Sequence, residues 1–296
     1  MKKGFVLQSL ICLLAVSCSV HELEVPAEDD VFYASLESYS TPDTRVYVDN
    51  DNSVDGKFMV FWDAKDQISI FNETTLNQKY EFLGETGANS GYFKKVSEET
   101  GGNDVDYIYA VYPYQKSTSL DESGVLTLTL PAKQNYKEKS FGPGANTMVS
   151  VTSTDIDDNL LRFKNVCGYL VFKFYGGDDE NDLSIKTITL EGRNNELLSG
   201  EATVTPDNDG IPTIVMSPTA GKSITLDKKV KLGKTIADAT VFWMVVPPTR
   251  FSQGFKVTVK DKDNHVFTME TDNDLTIVRN HVSTMSAVEV TFPVSE

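Results

Sequence analysis

The amino-acid sequence predicts an all-β protein built of antiparallel β-sandwiches. Short apolar stretches recur at intervals of roughly 8 to 12 residues, with glycine, proline, asparagine and aspartate between them, as in sandwich strands and their turns. No long segment shows the 3.6-residue apolar period of an amphipathic helix. The chain has 296 residues, which is enough for two ordinary domains.

The chain begins with an export signal. Lys2 and Lys3 precede an apolar run that is too short to span a bilayer comfortably, and small residues close it. Cys18 follows directly, so residues 15–19 resemble the lipobox of bacterial lipoproteins, in which the signal is cut before the cysteine and the thiol is acylated. We predict a lipoprotein signal over residues 1–17 and lipidation of Cys18. The alternative is a plain secretory signal cut nearby, with Cys18 incidental.

Residues 18–30 are acidic and contain a proline, which is typical of a solvated tether. Acyl chains on Cys18 would hold the protein at a membrane, at about 0.8 kcal/mol per buried methylene, so the body needs no membrane span of its own. The formal net charge is −16, and loss of Lys2 and Lys3 with the signal takes it to −18. A surface of this charge makes nucleic acid and anionic lipid poor partners.

Strands follow one another through residues 31–155, the predicted N-terminal domain. They are expected at residues 31–36, 45–48, 58–62, 67–71, 107–114, 125–130 and 148–152. The clearest is 125–130, in which three leucines alternate with other residues, so that one face is buried. An acidic break at residues 155–158 interrupts the series and sets the predicted boundary near residue 155.

A second series of strands fills residues 156–296, the predicted C-terminal domain. Residues 160–175 are expected to form a strand pair or one bent strand. Further strands are expected at residues 185–190, 201–205, 212–216, 223–226, 230–232, 241–246, 255–260, 266–270 and 282–292. Residues 241–246 are apolar on both faces, which predicts a central strand. In the last strand Val288, Val290 and Phe292 are expected to face inward.

The sequence contains little that an enzyme needs. The three histidines have no metal-ligand or catalytic spacing, and a phosphate-binding loop is absent. They are His21, His265 and His281. Aspartate-rich turns such as residues 207–210 could hold calcium, but turn chemistry is the preferred explanation. We therefore predict no enzymatic activity, no cofactor and no metal.

Three further residues are assigned to the core. Cys167 lies in an apolar segment without a basic neighbour, so we expect a small buried residue and not a reactive thiol. Trp62 and Trp243 lie in apolar strands, where core packing is expected more than a platform for stacking sugars.

Several segments, none of them catalytic, follow one another along the chain in a distinctive order. They are residues 15–19, 31–48 with Thr44-Arg45, WDAKDQISIF at 62–71, YIYAVYPY at 107–114, LRFKNVCGYLVFKF at 161–174, ITLEGRNNELLSGEATV at 188–204, VFWMVVPPTRFSQGFKVTVKD at 241–261 and VSTMSAVEVTF at 282–292. In this order they resemble the fimbrillin family of Bacteroidota, the FimA-like and Mfa-like lipoproteins that form or decorate type V pili. Family members usually have glycine before the aspartate of the tryptophan-containing segment, whereas here Lys65 precedes Asp66.

The resemblance implies two tandem transthyretin-like antiparallel β-sandwich domains and a route of assembly. In the family a trypsin-like protease cuts the exported precursor after a basic residue that follows the first strand, and a strand from a neighbouring subunit fills the groove that opens. Here the first strand is residues 31–36, the candidate cut follows Arg45, and Lys57 is the competing site. An ordinary strand-edge arginine is the alternative for Arg45. The candidate donor, residues 282–292, is equally explained as an edge strand.

The resemblance therefore implies a non-enzymatic structural or adhesive subunit of a cell-surface fimbria. It would be held at the cell outer membrane through lipid on Cys18, at least as a precursor. Its partners would be other pilin subunits, joined by donor-strand exchange, and ligands on host or bacterial surfaces. The alternative is a lipid-anchored surface glycan-binding protein of a nutrient uptake system, against which the shortage of tryptophans outside core strands argues.

Overall fold

The computed structural model describes residues 31–37, 39–40, 53–54, 57–58, 60–72, 74–98, 102–153, 160–178, 181–207 and 209–292. The predicted signal and tether, with Cys18, and the candidate cut at Arg45 lie outside the described residues. Within these ranges the chain is all-β, as predicted, and a 3₁₀ turn at Ile236–Asp238 is its one helical element. No helix in the described part of the chain has the length and apolar composition of a membrane span.

The strands of the first half are β1 (Val31–Leu36), β2 (Tyr39–Ser40), β3 (Ser53–Val54), β4 (Lys57–Phe58), β5 (Gln67–Phe71), β6 (Gln78–Phe82), β7 (Ser90–Lys95), β8 (Tyr107–Tyr112), β9 (Ser119–Leu120), β10 (Leu126–Leu130), β11 (Lys133–Gln134), β12 (Tyr136–Lys137), β13 (Ser140–Phe141), β14 (Met148–Ser153) and β15 (Leu160–Asn165). The prediction of a half-buried strand at residues 125–130 is confirmed by β10, whose three leucines are buried.

The strands of the second half are β16 (Gly168–Tyr175), β17 (Ser184–Gly192), β18 (Gly200–Pro206), β19 (Pro212–Met216), β20 (Ser223–Lys231), β21 (Thr240–Val246), β22 (Thr249–Phe251), β23 (Phe255–Asp261), β24 (Val266–Thr271), β25 (Leu275–Ile277) and β26 (Val282–Glu289). Of the two possibilities predicted for residues 160–175, the strand pair is confirmed, since β15 and β16 are separated by a bend at residues 166–167.

The first strand closes a barrel. Seven strands form it in the order β1-β15-β14-β8-β5-β6-β7, and β7 pairs with β1 to complete the ring. Aromatic rings fill its interior, since Trp62 lies against Phe82, Phe93, Tyr112 and Phe163 at centroid distances of 4.9 to 6.0 Å. Trp62 is 1% exposed, so the prediction that it packs in the core is confirmed.

Sheet pairing links the two halves of the chain across residue 155. β15, which follows that residue, belongs to the barrel, and β10 pairs with β18 in the sheet of order β19-β18-β10-β9. β11 pairs with β20 at the edge of the sheet β11-β20-β17-β23-β24. Hydrogen bonding therefore continues past the predicted boundary, and two tandem transthyretin-like domains stay a prediction.

A three-stranded sheet of order β21-β16-β26, here called the middle sheet, lies between two hydrophobic cores. Alternate residues of β16 belong to different cores, Tyr169 to the one that fills the barrel and Leu170 to the other. β21 alternates in the same way, with Trp243 in the first core and Met244 in the second. The prediction that residues 241–246 are apolar on both faces is confirmed, but β16 is the central strand and β21 lies at the edge.

Among the described strands three pairs are parallel, which corrects the antiparallel pairing predicted throughout. They are β1 with β15, β11 with β20, and β26 with β16. A parallel pair cannot be joined by a hairpin and needs a long connection, and the strands of each pair are far apart in sequence. The successive strands β15 and β16 thus pair with β1 and β26, the first and the last strand of the described chain.

Candidate functional site: the groove of the first strand

β1 lies in a groove between β7 and β15. It pairs antiparallel with β7 from Val31 to Ser35 and parallel with β15 from Tyr33 to Leu36. Both edges of the strand are hydrogen-bonded, so its removal would leave one edge of β7 and one edge of β15 open. Open sheet edges of this kind can accept an added strand.

Alternate side chains of β1 fill the groove. Phe32 and Ala34 are buried, and the Phe32 ring meets the Tyr80 ring edge-on at 5.5 Å. On the other face the Tyr33 hydroxyl donates to Ser90 Oγ at 2.8 Å. Burial of a phenylalanine side chain contributes about 1.5 to 3 kcal/mol, so Phe32 is the main apolar anchor of the strand.

A polar cluster holds the end of the strand. Glu37 Oε1 accepts the backbone N–H of Asn165 and a hydrogen bond from Arg279 Nη1 at 2.5 Å. Arg279 Nη1 also donates to the Asn165 carbonyl at 2.9 Å. The Glu37 and Arg279 side chains are 14% and 21% exposed. Charged groups this far removed from water are stable when paired, and this ion pair is also hydrogen-bonded to the backbone.

The cluster continues toward the last strand. Asn165 Nδ2 donates to Asn280 Oδ1 at 2.8 Å, and Asn146 Nδ2 donates to Asn165 Oδ1 at 2.6 Å. The Tyr169 hydroxyl completes the chain by donating to Asn146 Oδ1 at 3.1 Å. Sequence reasoning missed this cluster because Glu37 and Arg279 are 242 positions apart, and no local pattern marks either residue.

The sequence-predicted processing and donor sites fall in different places. Cys18 and Arg45 lie outside the described residues. Lys57, the competing cleavage site, is in β4, whose backbone pairs with both β2 and β3. Proteases cut exposed loops in preference to paired strands, so this pairing argues against Lys57. The candidate donor, residues 282–292, forms β26 at the edge of the middle sheet, and the following Val290 is buried.

One histidine lies with two acids at the turn between β23 and β24. His265 Nδ1 is 2.8 Å from Asp261 Oδ2, and the ligand atoms of Asp261, Asp263 and His265 lie within 4.8 Å of one another. Asp261 Oδ1 also accepts the backbone N–H groups of Asp263 and His265. Burial alone would raise the pKa of Asp261, but these hydrogen bonds outweigh it and lower that pKa. The cluster is accounted for by the hydrogen bonding of the turn.

Cys167 and Trp243 are both buried, as predicted. Burial raises the pKa of the Cys167 thiol to about 12, because an apolar setting disfavours the thiolate. The prediction that Cys167 is a core residue is confirmed.

A pocket of about 200 Å³ opens beside the barrel. Its lining includes Phe61, Asp63, Asp66, Tyr112 and Lys137. The Tyr112 hydroxyl donates to Asp66 Oδ1 at 3.1 Å, and burial raises the pKa of Asp66. The pocket can accept a small polar molecule, but none of its lining residues is a histidine or a cysteine.

Lys65 shapes the turn that carries Asp66. Its φ is 67°, in the left-handed region that glycine favours. The lysine therefore adopts a glycine-type conformation at the position where the fimbrillin family usually has glycine.

The sequence matches no protein-family model and no curated protein. A solved structure from Bacteroides ovatus, named for a proposed role in cell adhesion, has a TM-score of 0.52 and 15% identity and covers 88% of this chain and 92% of its own. A second structure named for a proposed role in cell adhesion, from Bacteroides uniformis, has a TM-score of 0.42 and 17% identity and covers 77% of this chain and 88% of its own. A fimbrial protein from Bacteroides ovatus has a TM-score of 0.39 and 13% identity and covers 90% of this chain and 51% of its own.

The first of these structures shares its fold with this chain over most of both lengths, and at 15% identity the likeness concerns the fold alone. The chain thus shares its all-β fold with a Bacteroides protein named for cell adhesion. This shared fold supports the resemblance to the fimbrillin family at the level of the fold.

Proposed function

We propose that this chain is a non-enzymatic structural or adhesive subunit of a cell-surface fimbria. In this proposal it is exported as a lipoprotein, is held at the outer membrane through Cys18, and is cut after Arg45. It then joins other subunits by strand exchange. The observation that carries the proposal is the position of β1, which closes the barrel and is paired along both edges.

The first strand can be separated from the rest of the barrel by a single cut. Its partners β7 and β15 both come later in the chain, so a cut after Arg45 would leave β1 held by hydrogen bonds and packing alone. A strand with the same apolar alternation can restore both sets of hydrogen bonds and refill the groove.

A segment with that alternation occurs at residues 282–292. It carries Val288, Val290 and Phe292 at alternate positions, as β1 carries Phe32 and Ala34. Val290 is buried in the second core, so donation requires this end of the segment to detach from the core of its own subunit. The proposal therefore includes release of residues 288–292 before assembly.

Cleavage in solution tests the proposal. The chain without its signal is treated with a trypsin-like protease at high protein concentration, and polymers are followed by gel electrophoresis without heating. We expect wild-type protein to lose the first strand and form a ladder, whereas Arg45→Ala stays whole and monomeric. Lys57→Ala is the matched control and should polymerise as the wild type does. Cleaved wild-type protein that stays monomeric would disprove the role of a polymerising subunit.

A disulfide staple tests the groove itself. Ser35 and Ser90 are partners in the β1-β7 pair, and antiparallel partners lie about 4.5 to 5.5 Å apart at Cα, within reach of a disulfide. In the S35C/S90C variant, oxidised protein should be cut yet remain monomeric, and reduction should allow polymers to form. Ser90→Cys alone controls for loss of the hydrogen bond from Tyr33. Polymers from oxidised, cut protein would show that assembly uses another surface.

The anchor is tested separately with Cys18→Ala. The variant should leave the membrane fraction, and its persistence there would refute lipid as the sole anchor. The alternative of glycan binding gains no support from the tryptophans, since Trp62 and Trp243 are both buried. Micromolar binding to a sugar on a glycan array would nevertheless favour glycan binding over the fimbrial role.

A further inference from the structure

A carboxylate site lies at the end of the groove. Its donors are Arg279 Nη1 and the backbone N–H of Asn165, and both meet Oε1 of Glu37. Neither donor belongs to the first strand, since Asn165 ends β15 and Arg279 lies between β25 and β26. The site is therefore a property of the groove, and Glu37 is its occupant.

The site disfavours a strand that lacks the carboxylate. In the described part of the chain, Glu37 is the carboxylate that pairs with Arg279, whose side chain is only 21% exposed while the strand is in place. A strand without that carboxylate would leave a largely buried positive charge without its counter-charge. It would also leave the Asn165 N–H without its acceptor, and both effects weaken the binding of such a strand.

Glu37 stands at a fixed offset from the apolar positions of the strand. It follows Ala34 by three residues and Phe32 by five, and it comes directly after Leu36, the last residue paired with β15. A strand advances about 3.3 Å per residue. A shift of one residue would therefore move the carboxylate away from Arg279 and turn the other face of the strand toward the core. The backbone ladder alone does not prevent such a shift, because its bonding groups are the same at every residue.

We propose that Arg279 and the Asn165 N–H form a carboxylate receptor that sets the register of the strand in this groove. It selects strands with a glutamate or an aspartate directly after the last paired residue. For the chain's own first strand, the inference is independent of the proposed function. For a strand from another subunit, it rests on the proposed function.

The receptor discriminates against this chain's own last segment. When Val288, Val290 and Phe292 take the places of Phe32, Ala34 and Leu36, the residue at the place of Glu37 is Pro293. When the three take these places in the reverse order, that residue is Ala287. Neither side chain bears a carboxylate. A strand whose apolar alternation is followed by an acidic residue should therefore bind more tightly than this chain's own last segment, which can still add to the groove where no such strand is present.

Peptide capture tests the receptor. The chain is cut with a trypsin-like protease, the first strand is displaced in mild denaturant, and its loss is verified by mass. Fluorescent peptides of residues 31–37, of the same segment with Glu37→Gln, and of residues 282–292 are then titrated. The native peptide should bind roughly 10-fold to 100-fold more tightly than the Gln peptide, as expected for hydrogen bonds to a charged group. The peptide of residues 282–292 should also bind more weakly than the native peptide.

Two protein variants accompany the titration. In Arg279→Gln protein the native and Gln peptides should bind equally. Asp274→Asn removes the exposed pair with Arg250 and should leave the preference unchanged, which makes it the matched control.

The outcomes separate this inference from the proposed function. Equal binding of the native and Gln peptides to wild-type protein would overturn the receptor and leave strand exchange standing. If neither peptide binds protein that has lost its first strand, strand exchange is overturned. The receptor is then tested in the uncut chain. There a double-mutant cycle of Glu37→Gln and Arg279→Gln should show coupling of about 10-fold in the unfolding equilibrium constant. Coupling below about twofold would overturn the receptor.

Discussion

The side chain of Gln134 takes the place of a neighbouring strand at the outer edge of β21. Its Nε2 donates to the Val245 carbonyl at 2.7 Å, and its Oε1 accepts the Val245 N–H at 3.0 Å. Gln134 is 4% exposed and Val245 is 2% exposed, so both bonds are shielded from water. The same arrangement recurs at the surface, where Gln115 makes the corresponding two bonds to the backbone of Thr129 at 2.8 and 3.2 Å.

The two glutamines therefore form a matched pair for mutation. We expect Gln134→Leu to lower the free energy of unfolding by about 2 to 4 kcal/mol, because two buried backbone groups of Val245 lose their partners. Gln115→Leu should lower it by less than about 1 kcal/mol, since water can replace the lost bonds to the exposed Thr129. Urea denaturation measures both. Equal losses would contradict the idea that burial makes the difference.

Two glycines with nearly equal positive φ allow the cost of backbone strain to be separated from that of a steric clash. Gly254 has φ of 73° and Gly144 has φ of 71°. A Cβ at Gly254 would lie 1.7 Å from the Thr271 carbonyl oxygen, whereas one at Gly144 would meet nothing within 4 Å. Gly144→Ala should lower the free energy of unfolding by about 1 to 2 kcal/mol, the cost of the left-handed conformation. Gly254→Ala should lower it clearly more, because the backbone must also move. Thermal unfolding of both variants checks the order, and a larger loss for Gly144→Ala would contradict it.

Two aspartates should contribute to stability with opposite dependence on pH. Burial raises the pKa of Asp66, so the folded state holds this proton more tightly than the unfolded state. Its stabilising contribution is therefore present at low pH and is lost as pH rises through the raised pKa. Hydrogen bonds from Ser123 and from the Val125 backbone N–H lower the pKa of Asp121, so its contribution is lost as pH falls.

Comparison with the amide variants isolates these contributions. Between about pH 3 and pH 7, the stability of the wild type relative to Asp66→Asn should fall as pH rises. Relative to Asp121→Asn it should rise, by a small amount because Asp121 is exposed. Urea midpoints across this range provide the measurement, and the same slope for both variants would refute the assignment.

Cys167 should be inert in the folded protein. Burial raises the pKa of its thiol to about 12, so the thiol stays protonated at pH 8, whereas the thiolate is the reactive form. In the Cys18→Ala chain without its signal, iodoacetamide should modify Cys167 only after unfolding, as measured by mass. Ser252→Cys, in the exposed turn after β22, is the control and should react within minutes. Rapid modification of Cys167 in the native protein would show that this part of the core opens readily.

Much of the core was predictable because burial follows the local pattern of apolar residues along the chain. The alternation of Leu126, Leu128 and Leu130 marks one buried face, and the apolar surroundings of Trp62 and Cys167 indicate burial. Such patterns depend only on the two-residue period of a strand, so they can be read without knowledge of the partner strand. The polar cluster around Glu37 has no such period, and nothing in its local sequence sets it apart from the many other acidic residues.

The sequence by itself determined that the protein is all-β, where many of its strands lie, and which side of regularly alternating strands such as β10 is buried, but it did not mark the barrel strands β6 and β7. Only the tertiary structure decided that β1 runs parallel to β15, that β26 runs parallel to β16, and that Glu37 meets Arg279 where these strands converge. The physical reason is that side-chain alternation records the buried face of a strand, whereas its edges carry the same N–H and C=O groups at every residue. The partner and the direction of a strand therefore follow from the packing of the whole chain.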